Sequence, residues 1–194
     1  MALSGARIVG GIAKGRILHV PKNVRPTTAM TRRVFADTYR SEIRGARILD
    51  LYAGAGVLTS ELLSRGADRS VMVERSRFVA RSLCRNLETL GFESRTEVLI
   101  MPAHKALRVL CDRGDMFDIV YADPPYAEGS ALGVDSHGIS AVLNVAGLFV
   151  FEQRTQTESA SLDEFTVEWS KQIGDTKLVA YRRLIELEMA DTDG

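Results

Sequence analysis

The sequence has 194 residues, of which 45% are hydrophobic and 26% charged, and its formal net charge at pH 7 is zero. This length can bury one good core but is short for two independent domains, so we expect one domain with a small appendage. The chain has no run of about 18 apolar residues and no signal-peptide core in its first ten residues, which favours a cytoplasmic protein without a membrane span. Cys84 and Cys111 lack the spacing of a disulfide framework or a metal site, so we expect two buried thiols and no metal.

The zero net charge hides an uneven distribution of charge along the chain. Residues 1–47 carry ten Lys or Arg and two acids, whereas residues 48–194 carry fifteen Lys or Arg and twenty-three acids. A basic segment on an acidic body suits a protein that meets phosphates with one surface and stays soluble elsewhere. The pattern indicates a nucleic-acid partner, with a solvated basic face as the structural alternative.

The N-terminal part of the chain predicts a basic appendage made of a hairpin and a helix. Residues 7–20 contain two short apolar segments around a Gly-rich stretch, which favours a hairpin. Two prolines then interrupt the chain, and a helix is expected from Thr27 or Thr28, either of which can cap it, to about Glu42. We therefore expect residues 1–45 to form an RNA-binding appendage.

The remaining main domain, residues 46–190, has short apolar strands that alternate with helices, which is typical of a parallel sheet covered on both faces. The expected parallel strands are 47–52, 70–74, 96–101, 117–122 and 147–152. Residues 164–170 and 177–187 look like an antiparallel pair that turns at Gly174 and Asp175. The sequence therefore predicts an α/β fold with a Rossmann-like, seven-stranded, mostly parallel doubly wound sheet and an antiparallel edge strand.

The helix between the second and third strands has the clearest boundaries. Ser76 can cap its start and Gly91 can end it. Its apolar residues recur with the spacing of one helix face, so we expect that face to be buried. The residues of this face are Phe78, Val79, Leu83, Leu87 and Leu90.

A glycine loop, Asp50-Leu51-Tyr52-Ala53-Gly54-Ala55-Gly56, ends the first strand, and a helix is expected to begin at once with Val57. The two glycines let the backbone turn tightly and approach a ligand, although they would equally serve a purely structural turn. The third glycine of the dinucleotide fingerprint is absent, and Asp50 would repel a pyrophosphate. A cationic ligand with an amino-acid head fits better, and S-adenosylmethionine carries a sulfonium and an ammonium. The residues expected around its methionine half are Asp50, Tyr52, Ala53, Gly54 and Gly56.

Two further positions after strands are candidates for the adenosine half. Glu74 ends the second strand, where a carboxylate can accept both ribose hydroxyl protons; a surface carboxylate is the alternative. The segment Met101-Pro102-Ala103-His104 follows the third strand, where a backbone amide could meet the adenine edge. The expected cofactor residues outside the glycine loop are Glu74, Arg75, Ala103 and His104.

The segment Asp123-Pro124-Pro125-Tyr126 follows the fourth strand and carries the strongest indication of chemistry. An exocyclic base amine is a poor nucleophile because its lone pair is conjugated into the ring, so a catalyst gains by accepting hydrogen bonds from its two protons. Asp123 can accept one and the Pro124 carbonyl the other, while the prolines stiffen the loop. Tyr126 offers a flat face on which a flipped-out base can stack. We expect all four residues to be catalytic; the structural alternative is a rigid turn.

These motifs, in this order, resemble the RsmD family of class I methyltransferases, which methylate N2 of one guanine in bacterial 16S ribosomal RNA. The resemblance spans nearly the whole chain and rests on Arg7-Ile8-Val9-Gly10-Gly11, Gly15-Arg16, Arg25-Pro26-Thr27-Thr28, the glycine loop, Leu63-Ser64-Arg65-Gly66-Ala67, Asn86-Leu87 and Asp123 to Tyr126. It implies S-adenosyl-L-methionine as cofactor and 16S ribosomal RNA or a small-subunit assembly particle as partner, and we expect a monomer. The implied RNA-binding residues are Arg7, Lys14, Arg16, Arg25, Thr27, Thr28, Arg32 and Arg33.

The sequence departs from the family pattern at Ala29 to Arg33, at Ala55, where Ser or Thr is usual, and at His104, where an acid is common. Three other functions stay open. The first is an adenine-N6 methyltransferase acting on DNA or RNA, and the second is a nucleotide-binding oxidoreductase on a similar sheet, against which the missing third glycine counts. The third is a non-catalytic RNA-binding or ribosome-assembly protein with the same fold.

Overall fold

The structure is a computed structural model that describes residues 5–22, 24, 26–125, 136–155, 162 and 164–184. The chain divides into two units, Met1–Ala103 and His104–Gly194. Among the described residues, no helix has both the length and the apolar character needed to cross a membrane. The same residues contain no group of His, Cys, Asp or Glu side chains arranged to hold a metal ion.

The first unit combines the hairpin with three parallel strands. Its elements are β1 (Gly5–Arg7), β2 (Ile17–His19), α1 (Ala29–Thr38), α2 (Arg40–Ile43), β3 (Arg47–Asp50), α3 (Val57–Ser64), β4 (Arg69–Val73), α4 (Arg77–Leu90) and β5 (Thr96–Leu99). Strands β1 and β2 pair antiparallel, whereas β3, β4 and β5 are parallel. The inner residues of β3 and β4 are buried on both faces of the sheet, which explains their nearly continuous apolar sequence.

The second unit contains the remaining strands. Its elements are α5 (Ala103–Asp112), which begins at the last residue of the first unit, β6 (Phe117–Ala122), α6 (Ser136–Ser140), β7 (Leu143–Arg154), β8 (Phe165–Ile173) and β9 (Thr176–Arg183). Strands β6 and β7 are parallel, and β9 is antiparallel to both β7 and β8. Aromatic side chains fill the space over these strands, with the rings of Phe149 and Tyr181 stacked 5.7 Å apart.

The order of strands in the large sheet is β5-β4-β3-β6-β7-β9-β8. The predicted seven-stranded, mostly parallel sheet with an antiparallel edge is therefore confirmed. The edge position belongs to β8, and β9 is the strand that reverses direction against β7. The turn between β8 and β9 lies at Gly174 and Asp175, as predicted.

The helix predicted up to Glu42 is divided in the structure. Thr28 caps α1 as expected, because its side chain accepts a hydrogen bond from the Thr31 amide at 3.1 Å. Tyr39 leaves helical geometry, with φ −106° and ψ 35°, and α2 follows it. The Tyr39 ring is buried with its centroid 5.6 Å from that of Phe35, so the break accompanies an aromatic contact in the core.

The boundaries predicted for α4 are confirmed, but its predicted buried face is wrong at Phe78. The Ser76 side chain accepts from the Val79 amide, and Gly91 ends the helix with a left-handed φ of +71°. Phe78 is 68% exposed, whereas the polar Asn86 is buried. Apolar spacing gives the period of a helix, but the neighbouring elements decide which face they cover.

The expectation of two buried thiols is wrong. Cys84 is half-buried on α4, and Cys111 is exposed near the end of α5. Cysteine is often buried, but a residue on an amphipathic helix follows the orientation of the helix and not its own average tendency.

Candidate cofactor-binding and catalytic residues

The glycine loop after β3 is shaped by two left-handed residues. Gly54 has a φ of +54° and Gly56 a φ of +76°. The Gly56 amide donates to the Ala53 carbonyl at 2.7 Å, and Gly56 caps α3, which starts at Val57 as predicted. L residues rarely adopt this conformation, so the tight turn from strand to helix requires glycine at both positions.

Asp50 fixes both ends of the glycine loop from inside the first unit. One carboxylate oxygen accepts from the Thr59 hydroxyl at 2.6 Å, and the other accepts from the Tyr52 amide at 3.2 Å. Asp50 is only 3% exposed and Thr59 is fully buried. The carboxylate therefore holds the loop against α3. The part played by Thr59 was missed, because the sequence gives no sign that this hydroxyl faces the end of β3.

Glu74 follows β4 at the same edge of the sheet as Asp50, because both residues lie at carboxyl ends of paired parallel strands. Its carboxylate is half-buried and accepts from the Ser76 amide at 2.7 Å. The Ala53 amide donates to the Val73 carbonyl at 2.9 Å, which ties the glycine loop to the end of β4. The first unit thus brings the glycine loop and Glu74 together.

The other residues expected at the cofactor differ in their surroundings. Tyr52 is half-buried and Arg75 is exposed. Ala103 is buried at the start of α5, and His104, the first residue of the second unit, is exposed.

Asn86 is a site residue that sequence reasoning did not assign. Its side-chain amide donates to the Ala55 carbonyl in the glycine loop at 2.9 Å. It also exchanges hydrogen bonds with the backbone of His19 in β2. The Asn86-Leu87 pair contributed to the family resemblance without an assigned role, and the other sign was a polar residue one turn from Leu83 on the buried side of α4.

The Asp123 segment follows β6 in the second unit. Asp123 and Pro124 are half-buried and Pro125 is exposed, while Tyr126 lies outside the described residues. The parallel register ends at Ala122, which is opposite Phe151, and Asp123 and Glu152 are the next residues along their two segments.

Glu152 is a second carboxylate beside this segment that sequence reasoning missed. It is buried on β7 and accepts a hydrogen bond from the buried Tyr121 hydroxyl at 2.5 Å. Burial of a carboxylate is costly unless it is hydrogen-bonded, and this phenol supplies such a bond. The Tyr121 and Glu152 side chains therefore connect β6 and β7 directly before the Asp123 segment.

Most basic residues expected to contact RNA are exposed. Arg7 donates to the Gly15 carbonyl at 3.0 Å within the hairpin, and Lys14 projects from the turn region. Arg16 reaches the Thr89 carbonyl of α4 at 2.6 Å. Arg33 pairs with an acid one turn away on α1. Thr27 is half-buried and Thr28 exposed, and Arg25 lies outside the described residues.

The structure corrects the expectation that Arg32 is available to RNA. Arg32 is 2% exposed. Its guanidinium donates to the Thr27 carbonyl at 2.5 Å and to the Arg7 carbonyl at 2.8 Å. It therefore ties β1 to the start of α1. A charged side chain in a basic segment is usually solvated, and hydrogen bonds such as these make burial of its guanidinium possible.

The hairpin is bonded to α3 through a buried acid that the sequence did not reveal. Glu61 is fully buried and accepts from the Val9 amide at 2.7 Å and from Arg65 at 2.7 Å. Arg65 also donates to Asp37 at 2.7 Å, and this hydrogen bond is the main reason that the pKa of Asp37 lies below its usual value. A chain of alternating charges therefore joins the hairpin, α3 and α1.

The family model described as Conserved hypothetical protein 95 matches residues 6–182. The Ribosomal RNA small subunit methyltransferase D of Escherichia coli K12 is 36% identical over 125 residues, which cover 63% of this chain and 61% of that protein. The protein of the same name from Haemophilus influenzae is 31% identical over 122 residues, covering 62% of this chain and 63% of that protein. These matches span less than two thirds of the length of either relative.

Solved structures agree with the family match. A hypothetical protein from Thermus thermophilus has a TM-score of 0.78 and 27% identity over 90% of this chain and 98% of its own. The T. thermophilus 16S rRNA N2 G1207 methyltransferase RsmC, solved with AdoMet and guanosine, has a TM-score of 0.70 and 24% identity over 95% of this chain and 50% of its own. The second likeness shows the fold alone, that of a class I methyltransferase, as the motifs implied. Because the family model covers most of the sequence, this chain belongs to the Conserved hypothetical protein 95 family, which is the RsmD family.

Proposed function

We propose that this protein is an S-adenosylmethionine-dependent methyltransferase that methylates the exocyclic N2 amine of a guanine in 16S ribosomal RNA. One observation carries the proposal: the glycine loop and Glu74 lie together after adjacent parallel strands of the first unit. The names of the curated relatives, ribosomal RNA small subunit methyltransferases, support methylation of small-subunit ribosomal RNA. The Asp123 segment then supplies the groups that the chemistry of an amine requires.

The residues of the first unit fit S-adenosylmethionine better than a dinucleotide. The loop from Asp50 to Gly56 contains an acid and no basic residue, which disfavours a pyrophosphate and suits a cationic ligand. Glu74 offers a half-buried carboxylate to the ribose hydroxyls. The bound cofactor would supply an electrophilic methyl group on a sulfonium. Asp50, held by Thr59, would act by keeping the loop in the shape that receives it.

Asp123 and Pro124 would prepare the nucleophile. The Asp123 carboxylate and the Pro124 carbonyl would each accept one proton of the guanine amine, which directs the nitrogen lone pair out of the ring plane. As the nitrogen–carbon bond forms and the carbon–sulfur bond breaks, Asp123 would accept the proton that the nitrogen loses. Most of the rate gain would come from orientation and exclusion of water. Tyr126 would stack on the flipped-out base.

The exposed cations of the hairpin would bind the RNA backbone. Arg7, Lys14 and Arg16 lie close together in sequence on an exposed element, and Arg33 adds a fourth positive side chain on α1. Guanidinium and ammonium groups neutralise phosphates and release counterions, so this contact should weaken as salt rises. The partner would be 16S ribosomal RNA, either free or in a small-subunit assembly particle.

The test separates the two groups of residues by what each variant loses. Asp123→Ala should lower the rate of methyl transfer to 16S ribosomal RNA by about 100-fold or more while leaving the affinity for S-adenosylhomocysteine within about twofold. Glu74→Ala should weaken S-adenosylhomocysteine binding instead. Asp118→Ala is the matched control, because Asp118 is an exposed acid on β6, the strand that directly precedes the Asp123 segment.

The outcomes distinguish the proposal from its rivals. Nucleoside analysis of the product should show N2-methylguanosine; N6-methyladenosine would overturn the guanine assignment. An Asp123→Ala variant that keeps turnover but loses S-adenosylhomocysteine would reverse the roles proposed for the two groups. A wild-type protein that binds RNA and S-adenosylhomocysteine but never transfers a methyl group would be a non-catalytic assembly protein.

A further inference from the structure

Three arginines form one row across the amino ends of β3, β4 and β5. Arg47 is directly opposite Arg69 in the parallel register. Ser70 is opposite Thr96, the first residue of β5, and Arg95 ends a short 3-10 helix (Glu93–Arg95) directly before it. With neighbouring strands about 4.8 Å apart, this arginine row (Arg47, Arg69 and Arg95) spans roughly 10 Å. It lies at the end of these strands opposite to Asp50 and Glu74.

The arginine row borders a pocket of about 260 Å³ in the first unit. The other residues that line this pocket are Ser70, Val71, Ser94, Thr96 and Glu97. The hydroxyl oxygens of Ser70 and Thr96 lie 3.4 Å apart inside it. The described lining thus combines three guanidinium groups and three hydroxyls with a single carboxylate, which makes it positive and rich in hydrogen-bond donors.

The row brings like charges together on neighbouring strands, an arrangement that is normally unfavourable. Asp68 offsets part of this repulsion, but its carboxylate is 3.7 Å from the Arg69 guanidinium and both side chains are more than 60% exposed, so the pair is weak. Glu97 is an acid that lines the pocket itself. A bound anion would reduce the repulsion among the three arginines.

Arg95 is held in place before any ligand arrives. One guanidinium nitrogen donates to the Ala67 carbonyl at 3.1 Å, and the centre of the group lies 4.7 Å from the centroid of the buried Phe92 ring. A side chain fixed in this way loses little further freedom when it binds. This part of the pocket is therefore preorganised.

We propose that the arginine row binds a phosphate group, namely a backbone phosphate of the RNA substrate some distance from the target base. The planar fork of arginine matches phosphate oxygens. The Ser70 hydroxyl donates to Thr96 and the Thr96 hydroxyl donates to the Phe92 carbonyl, so the guanidinium groups would supply the hydrogen bonds to the phosphate. Arg69 precedes Glu74 by five residues of extended chain, which is about 16 Å. A phosphate here would therefore belong to another segment of the RNA. The inference that the phosphate belongs to RNA rests on the proposed function, whereas the inference that a phosphate group binds does not.

The test removes charge from the row and measures binding without any methyl donor. The variant is Arg47→Gln/Arg69→Gln, and its melting temperature is compared with that of the wild type to show that it folds. The matched control is Arg108→Gln/Lys171→Gln, which removes the same charge from exposed positions on α5 and β8. Affinity for a 16S ribosomal RNA fragment is measured by fluorescence anisotropy at several salt concentrations. Binding of inorganic phosphate to the wild type is followed by NMR shifts of the Ser70 and Thr96 amides.

The row variant should bind the RNA at least tenfold more weakly at low salt, and the slope of log affinity against log salt should become shallower by about 1.4, for two lost contacts with single-stranded RNA. The wild type should show saturable phosphate shifts that the row variant lacks. If phosphate shifts the NMR signals of the wild type but the salt slopes for RNA binding are equal in the row variant and the control, the phosphate that binds here does not belong to RNA. No phosphate shifts and equal slopes would overturn the site. Failure of the proposed methyl transfer would appear in the transfer assays of the wild type and of Asp123→Ala, which are separate from this binding assay.

Discussion

Asn86 on α4 pairs with the backbone of His19 in the way that a neighbouring strand would. Its side-chain oxygen accepts from the His19 amide at 2.9 Å, and its side-chain nitrogen donates to the His19 carbonyl at 2.9 Å. The same nitrogen donates to the Ala55 carbonyl. Because Asn86 is only 3% exposed, this single amide joins the N-terminal hairpin to the glycine loop with little competition from water.

Replacing Asn86 should therefore weaken both the fold and the cofactor site. Asn86→Ala leaves the buried Ala55 carbonyl and two part-buried backbone groups of His19 without their partner, and should lower the free energy of unfolding by about 1–3 kcal/mol in urea. Affinity for S-adenosylhomocysteine should fall as well, because the Ala55 carbonyl loses its anchor. Asn144→Ala is the control, since the Asn144 amide donates to Asp118 on the exposed surface and should cost under about 1 kcal/mol. Equal losses of unfolding free energy in Asn86→Ala and Asn144→Ala would show that the Asn86 hydrogen bonds stabilise the fold no more than an exposed one does.

The sequence predicted features that depend on neighbours along the chain. Ser76 and Gly91 bound α4 because capping and left-handed termination are decided within a few residues. Gly54 and Gly56 were identified for the same reason, since a strand that turns at once into a helix needs left-handed residues. The seven-stranded sheet followed from the alternation of strands and helices.

The sequence did not predict features that depend on distant contacts. Phe78 was expected in the core because period alone does not show which helix face is covered. Arg32 was expected on the surface because nothing local shows that carbonyls from two separate segments surround it. Thr59 and Glu61 went unassigned because their partners, Asp50 and the Val9 amide, are brought to α3 only by the fold.

The hydroxyl of Thr59 should be needed to hold Asp50. Thr59→Val keeps the shape of the side chain but leaves a buried carboxylate without the bond that Thr59 donates at 2.6 Å. We expect the free energy of unfolding to fall by about 1–3 kcal/mol and S-adenosylhomocysteine to bind more weakly. Thr59→Ser, which keeps the hydroxyl, should retain most of both properties in calorimetric titration and urea unfolding. A loss in Thr59→Ser with none in Thr59→Val would mean that the methyl group, and not the hydrogen bond, matters here.

Asp37 should make stability depend on pH in the acid range. The hydrogen bond from Arg65 lowers the pKa of Asp37 in the folded protein, so the charged carboxylate stabilises the fold above the pKa of the unfolded chain. This contribution is lost as the pH falls through the lower, folded pKa. The side chain is 42% exposed, so the effect should be only about 0.2–1 kcal/mol.

The measurement compares the unfolding free energies of wild type and Asp37→Asn from pH 7 to pH 3. The difference should be constant down to about pH 5 and should shrink below about pH 4. In a background that carries Arg65→Gln, most of the pH dependence should disappear, because Arg65 is the main cause of the lowered pKa. If the difference in unfolding free energy between wild type and Asp37→Asn grows as the pH falls, the hydrogen bond from Arg65 does not lower the pKa of Asp37.

Two left-handed glycines of the hairpin region provide a matched test of how closely it packs on α3. Gly11 has a φ of +78°, and a Cβ there would lie 1.8 Å from the Ser64 carbonyl oxygen. Gly15 has a φ of +91°, and a Cβ there would meet nothing within 4 Å. Gly15→Ala should therefore cost only the left-handed backbone, about 1–2 kcal/mol. Gly11→Ala must also push the Ser64 backbone away, and a backbone atom at a helix end cannot move aside as a flexible side chain can.

Gly11→Ala should therefore lower the free energy of unfolding by more than about 3 kcal/mol, or detach the hairpin from α3. Detachment breaks the bond from the Ile12 amide to the Ser64 carbonyl, which is 2.8 Å long, so the Ile12 amide should exchange with solvent much faster in hydrogen-exchange measurements. Gly15→Ala should leave that exchange nearly unchanged. Detachment would also leave the exposed cations of the hairpin without a fixed position, so RNA affinity should fall further for Gly11→Ala than for Gly15→Ala. Equal behaviour of the two variants would mean that the hairpin does not rest on α3 in solution.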